Sequence, residues 1–309
     1  MGTPEFGAIV LEELVKNNYK PILVITAPDK PVGRKQILTP SPVKIIADEY
    51  NISLGQPEKI QDTKYKIQNT KPDLIIVASY GQILPKEILD IPKYGCLNVH
   101  PSLLPKYRGP SPIQYAILNG DKETGVTIML MDEKMDHGPI LAQQELEFQI
   151  SNFQFLNLHD KLAELGAKLL LDTIPKWLNK EIKPQTQDES KATYTKILTK
   201  EDGKIDWRKS VEVLERQIRA FSPWPGSYTI FNDGGRVMKI KILKARIYQS
   251  PDGSRYPIGK VLVVPQNEIG VQCEKDFLVI ERLQMEGKEE MDSENFLRGK
   301  PGFIGAILK

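Results

Sequence analysis

Over the first 150 residues, the hydrophobic pattern changes regularly between two periods, which leaves few folds open to this chain. Segments with apolar residues at helical spacing alternate with short, uninterrupted apolar runs: PILVITA, DLIIVASYG, GCLNVH and TGVTIMLM. Continuous apolar runs of this length are typical of strands buried on both faces of a parallel sheet. The alternation predicts an α/β fold with a doubly wound, Rossmann-like and mostly parallel sheet.

The first residues depart from this pattern. A sheet of this kind is expected to begin with a strand, but the chain opens MGTPEFG, which is typical of the turn after a first strand. No apolar run precedes that turn. Its glycines lack the spacing of a dinucleotide-binding turn or a P-loop, so a structural turn is favoured over a phosphate site. We therefore expect the first strand to be missing.

The last hundred residues follow a different pattern. A helical segment, VEVLERQIRAF, precedes five strand-like stretches separated by turn signals: GSYTIF, RVMKIKILKARIY, GKVLVV, GVQCE and DFLVIERLQ. Many short strands at this spacing predict a small, OB-like β-barrel. A charged, aperiodic stretch lies between the two patterns. The predicted organisation is a first domain over 1–189, a linker over 190–206 and a smaller β domain over 207–309.

Charge is distributed unevenly between the predicted domains. From Arg208 to Lys260 there are eleven Lys or Arg against four Asp or Glu, an excess of seven, whereas residues 1–205 have 25 basic and 26 acidic side chains. A basic module joined to a neutral one favours an anionic macromolecular partner. A solvated surface on a small β domain is the alternative.

Composition excludes several classes of protein. The sequence has no apolar run of the roughly 18 residues that a membrane span requires and no visible secretory signal, so we expect a soluble, cytoplasmic protein without a membrane partner. Its two cysteines, Cys96 and Cys273, are far apart and are expected to be reduced thiols. Neither they nor His137 and His159 match a metal-ligand spacing, so no metal is predicted.

The strand GCLNVH ends in Asn98 and His100. Ligands of open α/β sheets bind at the carboxyl ends of the strands, and residues two apart on a strand share a face. Both side chains are therefore expected to point into one cleft. Histidine is the usual acid or base near neutral pH, and an asparagine amide can donate to a developing oxyanion. A histidine that only caps loop carbonyls is the alternative.

A carboxylate completes the predicted site. Asp132 and Asp136 follow another strand, and Asp136 is expected at a neighbouring strand end, where it could orient His100 and stabilise its cation. Asn, His and Asp without an activated nucleophile favour acyl transfer to an amine through a tetrahedral intermediate. Ser102 lacks the G-x-S-x-G context, which argues against a hydrolase triad.

These motifs resemble those of a known family. LNVHPSLLPKYRGPSPIQYAI with the downstream Asp136 resembles the formyltransferases that use 10-formyltetrahydrofolate. Further stretches narrow the resemblance to the methionyl-tRNA formyltransferase family: GTPEFG, PSPVK, VASYGQILPKEIL, ETGVTIMLMDEKMDHGPIL, TKEDGKIDW, IRAFSPWPG and FLRGK. They occur in the family's order over nearly the whole chain.

The resemblance implies a role for each matching residue. Asn98 would polarise the formyl oxygen, His100 would be the acid–base residue, and Asp136 would support it and help to take the proton from the attacking amine. The folate co-substrate would be bound by two stretches: Ser102, Leu103, Leu104 and Pro105, and Tyr80, Gly81 and Ile83. The amine would be that of initiator methionyl-tRNA, held by the basic loop with Arg34 and Lys35 and by an OB-like domain. A monomer is expected.

Two other functions stay open at this point. A formyltransferase that acts on an amino-sugar nucleotide would use the same Asn-His-Asp set. A truncated, catalytically impaired homologue that only binds tRNA would explain a missing first strand. Formylation assays with both amines distinguish these hypotheses.

Overall fold

The fold is described from a computed structural model, which describes residues 1–33, 35–146, 153–250, 253 and 255–309. The chain forms two compact units. The first contains Met1–Ile113, Lys122–Gln149 and Asn157–Lys196, and the second contains Gln114–Asp121, Ile150–Leu156 and Ile197–Lys309. The domain and linker boundaries given above stay predictions.

Helices and strands occur in both units. Among the described residues, the α-helices are α1 (Glu5–Lys16), α2 (Pro42–Glu49), α3 (Lys64–Thr70), α4 (Lys86–Leu89), α5 (Pro112–Asn119), α6 (Phe155–Leu178), α7 (Val211–Phe221) and α8 (Ser293–Gly299). The strands are β1 (Val24–Ile25), β2 (Lys30–Val32), β3 (Ile37–Thr39), β4 (Leu54–Gly55), β5 (Ile75–Val77), β6 (Cys96–His100), β7 (Gly125–Leu130), β8 (Ile140–Glu145), β9 (Ser227–Asp233), β10 (Arg236–Tyr248), β11 (Val261–Val264), β12 (Glu268–Gln272), β13 (Phe277–Met285) and β14 (Glu290–Asp292).

The sheet of the first unit is parallel on one side and antiparallel on the other. β4 pairs with β1 in parallel, and β5 pairs with β6 in parallel. β7 then runs antiparallel to β6, and β8 antiparallel to β7. The doubly wound, Rossmann-like class is confirmed. The predicted strand TGVTIMLM is β7, but its antiparallel direction was not predicted.

Met1 and Gly2 connect the two parallel pairs. The Gly2 amide donates to Ile25 O at 3.1 Å, and the Ala78 amide donates to Met1 O at 2.9 Å. The Met1 ammonium donates to Ile76 O at 2.6 Å. The rest of the interval between β1 and β5 is a cavity of about 440 Å³. Its lining includes the apolar side chains of Val10, Leu11, Leu14, Leu23, Ile67 and Ile174.

Local sequence explains the turn that joins Gly2 to α1. Pro4 is the N-cap of α1, and a Cβ added at Gly2 or Gly7 would lie 2.7 or 2.8 Å from Ala78 O, so the backbones approach too closely for a larger residue. Ser41 caps α2, because its hydroxyl accepts the Lys44 amide at 3.1 Å. The GTPEFG turn therefore packs against the sheet.

The second unit is a curled antiparallel sheet with the strand order β11-β12-β13-β10-β9, and β14 pairs with β13. The C-terminal segment bonds both edges of this sheet: Lys309 exchanges amide hydrogen bonds with Ile230 of β9, and Leu308 donates to Gly259 next to β11. α7 contributes Val211, Leu214 and Ile218 to the core that the sheet encloses. The predicted smaller β domain is thereby confirmed.

In the part of the chain that the structure describes, no helix combines the length and the apolar character that a membrane span needs. Cys96 and Cys273 are free and buried, and burial raises the pKa of each thiol to about 12.

Candidate active site

β6 presents Asn98 and His100 on one face of the sheet, as their spacing predicts. β5 flanks β6 on one side and β7 on the other, with Asn98 opposite Val77 and Met129. The strand is buried along its length except at Asn98, which is partly exposed. A half-buried amide beside a buried imidazole is therefore available to a ligand at this edge of the sheet.

A backbone carbonyl fixes the ring of His100. Nε2 lies 3.0 Å from Tyr107 O, and because a carbonyl oxygen only accepts, Nε2 carries the hydrogen. Nδ1 of the neutral ring then keeps its lone pair and lies 3.7 Å from Asp136 Oδ2. This distance suits an ion pair with a protonated ring and is too long for a hydrogen bond. Because Nε2 already carries a hydrogen, Nδ1 is the ring atom that can accept a proton, and it lies beside a carboxylate. The side chain is 5% exposed.

Asp136 reaches this position through a loop. We expected it at the end of a neighbouring strand, but β7 is antiparallel to β6, so the carboxyl end of β7 lies beside Leu97 and not beside His100. The loop between β7 and β8 carries Asp136 back, with a left-handed backbone (φ 49°). Its Oδ1 accepts Asn98 Nδ2 at 3.2 Å, and its Oδ2 accepts the Gly109 amide at 2.7 Å.

The loop after β6 is held by β7. The Thr127 hydroxyl donates to Ser102 O at 2.7 Å and accepts the Leu104 amide at 3.1 Å. Ser102 and Leu104 are buried, and Leu103 and Pro105 are partly exposed. The Ser102 hydroxyl donates to Lys106 O at 2.6 Å, so it is engaged with the backbone, which agrees with the argument against a serine nucleophile.

The loop after β5 lies at the same edge, because β5 and β6 are parallel. Gly81 has a positive φ of 82°, and Ile83 is 69% exposed. Tyr80 is buried, and its hydroxyl has no hydrogen-bond partner among the described residues. Burial raises the pKa of Tyr80 to about 12. The two stretches expected to bind folate thus follow neighbouring strands.

The basic loop expected to contact tRNA contains a short hairpin, in which β2 pairs with β3. Lys35 is exposed near its tip, two residues after Gly33, which has a φ of 71°. Arg34 lies outside the described residues. The hairpin also exposes Ile37 and Leu38, so this surface is apolar as well as basic.

Family models match both halves of the chain. The formyl transferase model matches residues 1–174, and the model of the formyl transferase C-terminal domain matches residues 197–301. The chain belongs to the formyl transferase family. The resemblance inferred from the motifs is thereby confirmed.

Relatives within this family match the whole chain. The methionyl-tRNA formyltransferase of Bacillus velezensis is 45% identical over 314 residues, which cover 100% of this chain and 96% of that protein. The methionyl-tRNA formyltransferase of Citrifermentans bemidjiense is 41% identical over 310 residues, which cover 100% and 95%.

The fold also matches a solved structure, that of WlaRD, a sugar 3N-formyl transferase in the presence of dTDP and 5-N-formyl-THF. The TM-score is 0.62 at 21% identity, and the match covers 93% of this chain and 97% of that one. At this identity the likeness shows the fold alone, and it agrees with the Rossmann-like unit followed by a smaller β unit.

The sequence pattern did not identify a group of polar residues that adjoins the loops around Asp136 and His100. Arg108 is 1% exposed, and its guanidinium donates to Gln187 Oε1 and to both carboxylate oxygens of Glu189. The hydrogen bonds with Glu189 raise the pKa of Arg108, and those with Arg108 lower the pKa of Glu189. An arginine buried this deeply requires hydrogen-bond acceptors. The local sequence does not show which residues supply them, because Gln187 and Glu189 are about 80 residues away.

The remaining histidines lie outside the Asn98–His100–Asp136 cluster. His137 Nδ1 is 2.6 Å from Asp132 Oδ2, and the ring of His159 packs edge-on against Phe6. Within the described ranges, no group of three or more His, Cys, Asp or Glu has the arrangement of a metal site.

The basic residues of the second unit fall into two sets. Lys244 lies 2.8 Å from Glu281, and Arg246 pairs with Glu268, so these charges are neutralised locally. Lys239 and Lys241 of β10 have no carboxylate partner among the described residues, and Lys239 Nζ lies 3.4 Å from the centre of the Tyr228 ring. Lys239 and Lys241 therefore place unpaired positive charge beside Tyr228 on the β9–β10 face.

Proposed function

We propose that this protein transfers the formyl group of 10-formyltetrahydrofolate to the α-amino group of methionine on initiator methionyl-tRNA, a reaction of translation initiation. The observation that carries the proposal is the convergence of Asn98, His100 and Asp136 at one edge of the sheet. Identity of 41–45% to methionyl-tRNA formyltransferases over the entire chain, including the second unit, supports the choice of amine.

The folate co-substrate fits the two loops after β5 and β6. Leu103 and Ile83 offer exposed apolar surface to it. We infer that the stretches Ser102–Pro105 and Tyr80–Ile83 bind it. The folate supplies the activated formyl group, and the protein supplies orientation and proton transfer.

Each of the three polar residues has a chemical task in this proposal. The Asn98 amide donates to the formyl oxygen as negative charge develops there, an interaction typically worth about 3 to 4 kcal/mol. His100 Nδ1 accepts the proton that the attacking α-amino group loses. When the bond between the formyl carbon and N10 of the folate breaks, the imidazolium returns that proton to N10 and tetrahydrofolate leaves. Asp136, 3.7 Å away, stabilises the resulting imidazolium and holds Asn98 through Oδ1. No step requires a nucleophilic side chain.

Two surfaces are proposed to hold the tRNA. The hairpin with Arg34 and Lys35 would contact the end that carries the amino acid. In the second unit, Lys239 and Lys241 would contact phosphates, because no carboxylate among the described residues neutralises them. Tyr228 beside them adds an aromatic ring, on which an unpaired base can stack.

A formylation assay tests the choice of amine. The purified protein is given labelled 10-formyltetrahydrofolate with initiator methionyl-tRNA or with an amino-sugar nucleotide, and uncharged tRNA is the control. We expect label on methionyl-tRNA alone. Label on the sugar alone would replace the proposal with the amino-sugar reaction, and tRNA binding without any transfer would support an impaired homologue.

The salt dependence of tRNA binding tests the β9–β10 face. Each phosphate contact contributes roughly 0.7 to 0.9 to the slope of log affinity against log salt. The double variant Lys239→Ala with Lys241→Ala should therefore lower the slope by about 1.5. Lys244→Ala is the matched control, because its charge is already paired with Glu281. Equal slopes for the two variants would remove this face from the tRNA contact.

A further inference from the structure

The segment 187–196, here called the strap, binds the loop that follows His100. The Arg108 amide donates to Thr193 O at 2.8 Å, and the Thr195 amide donates to Arg108 O at 2.8 Å. The Tyr107 amide donates to the Thr193 hydroxyl at 2.8 Å. Part of the predicted linker thus pairs with the loop that follows His100. The same loop supplies Tyr107 O to His100 and the Gly109 amide to Asp136.

Within the strap, Gln187 holds the turn of Asp136 directly. Its Nε2 donates to Asp136 O at 2.9 Å and to Gly138 O at 2.7 Å, so one amide group spans the turn. Asp136 has a left-handed backbone, which a non-glycine residue adopts only where its surroundings hold it. Gln187 is buried, and water therefore competes little for these two carbonyls.

Arg108 fixes the orientation of the Gln187 amide. Gln187 Oε1 accepts Arg108 Nε at 3.0 Å and Nη2 at 2.9 Å. Because arginine only donates and the carbonyls of Asp136 and Gly138 only accept, the amide can have just one orientation. Glu189 and the Tyr194 hydroxyl occupy the other side of the guanidinium.

We propose that Gln187 is a positioning residue for formyl transfer: it fixes the Asp136 turn so that the carboxylate meets Asn98 and His100, and Arg108 fixes Gln187. The inference rests on the catalytic role proposed for Asp136. Neither residue contacts the reacting atoms. A displacement of about 1 Å in a catalytic group can cost a hundredfold in rate, so the effect should appear in turnover.

The test is Gln187→Glu in the full chain. Its carboxylate keeps the acceptors for Arg108 but has no hydrogens for the two carbonyls of the turn, so the buried arginine stays paired and the fold is retained. We expect kcat to fall by about 10- to 100-fold, while KM for folate and for tRNA changes by less than about threefold. Gln185→Met is the matched control, because Gln185 is exposed and only its backbone pairs with Ile140.

Kinetics are measured well below the melting temperature of each variant, so that a loss of folded protein does not count as a loss of kcat. An equal decrease for Gln187→Met, measured in the same way, would support the donated hydrogen bonds as the cause. Wild-type kcat for Gln187→Glu beside a slow Asp136→Asn would overturn the positioning role alone. Wild-type kcat for Asp136→Asn would overturn the role of Asp136 and, with it, this inference.

Discussion

Two regions of the first unit's sheet differ sharply in how they are held together. Around β6, neighbouring strands pair on both sides, and Thr127, Arg108 and Gln187 connect the adjoining loops by side-chain hydrogen bonds. Between β1 and β5, Met1 and Gly2 form the connection, beside a cavity of about 440 Å³.

The region around β6 therefore determines the geometry of the candidate active site, whereas the β1–β5 interval mainly affects the stability of the sheet. The site depends on polar groups held by hydrogen bonds from neighbouring loops, so its geometry persists as long as the sheet is folded. The β1–β5 interval depends on burial of apolar surface and on pairing of two strand edges, and these terms supply most of a protein's stability. Changes in the two regions should therefore act on different measurements.

Filling the β1–β5 interval should give the largest effect. Six apolar, β-branched residues joined before Met1 can pair with both strand edges and occupy the cavity. Each backbone hydrogen bond contributes about 1 kcal/mol net, so about five new bonds should raise the free energy of unfolding by about 5 kcal/mol. This corresponds to an increase of roughly 10 to 20 °C in melting temperature. Calorimetry of the extended and original chains measures it, and turnover should rise where the original chain is partly unfolded.

A glycine-serine extension of equal length is the control, because it adds the same mass without apolar surface or β-branched residues. Thr3 ties this region to the site, since its hydroxyl lies 3.4 Å from Tyr80 O. If both extended chains melt at the temperature of the original, the interval does not limit stability, and the contrast between the two regions is lost.

Changes at the site should act chiefly on turnover. We expect Asn98→Ala, His100→Ala and Asp136→Ala each to lower kcat by about a hundredfold or more, which is the usual scale for acid–base and oxyanion groups. Folate affinity should change little, and turnover is compared well below the melting temperature of each variant. Turnover within tenfold of wild type for any one of them would remove that residue from the mechanism.

The sequence predicts the elements of this site better than their arrangement. Strand periodicity is local, so the shared face of Asn98 and His100 follows from their spacing, and the capping residue before α2 follows from Ser41 and Pro42. The direction of a buried strand is not local. The apolar run of β7 is compatible with either direction, which explains why the route of Asp136 to His100 was predicted wrongly.

Contacts across long sequence distances are also beyond local pattern. Arg108 and Gln187 are 79 residues apart, and Gln187 lies in a stretch without periodicity, which is why it was assigned to no site. Its role depends on which hydrogen atoms meet which carbonyls, and that is decided only after both loops are placed. The hairpin of β2 and β3 was missed because each strand has three residues.

The smallest expected effect concerns the pH dependence of stability. The Met1 nitrogen is buried although part of the residue is exposed, and burial lowers the pKa of this ammonium from 8.0 to about 6. Between pH 8 and pH 6, the unfolded chain takes up a proton that the folded chain does not, so the free energy of unfolding should fall as the pH falls. The loss should be about 2 kcal/mol and should level off below pH 6.

Urea unfolding at pH 6, 7 and 8 measures this loss, and the apolar extension described above provides the control. In the extended chain the Met1 nitrogen is a peptide amide without a proton to gain. All other titratable groups are common to both chains, so the difference between the two pH profiles isolates Met1. Parallel profiles would mean that the ammonium reaches water in the folded state, and the β1–β5 interval would then be open to solvent at its Met1 end.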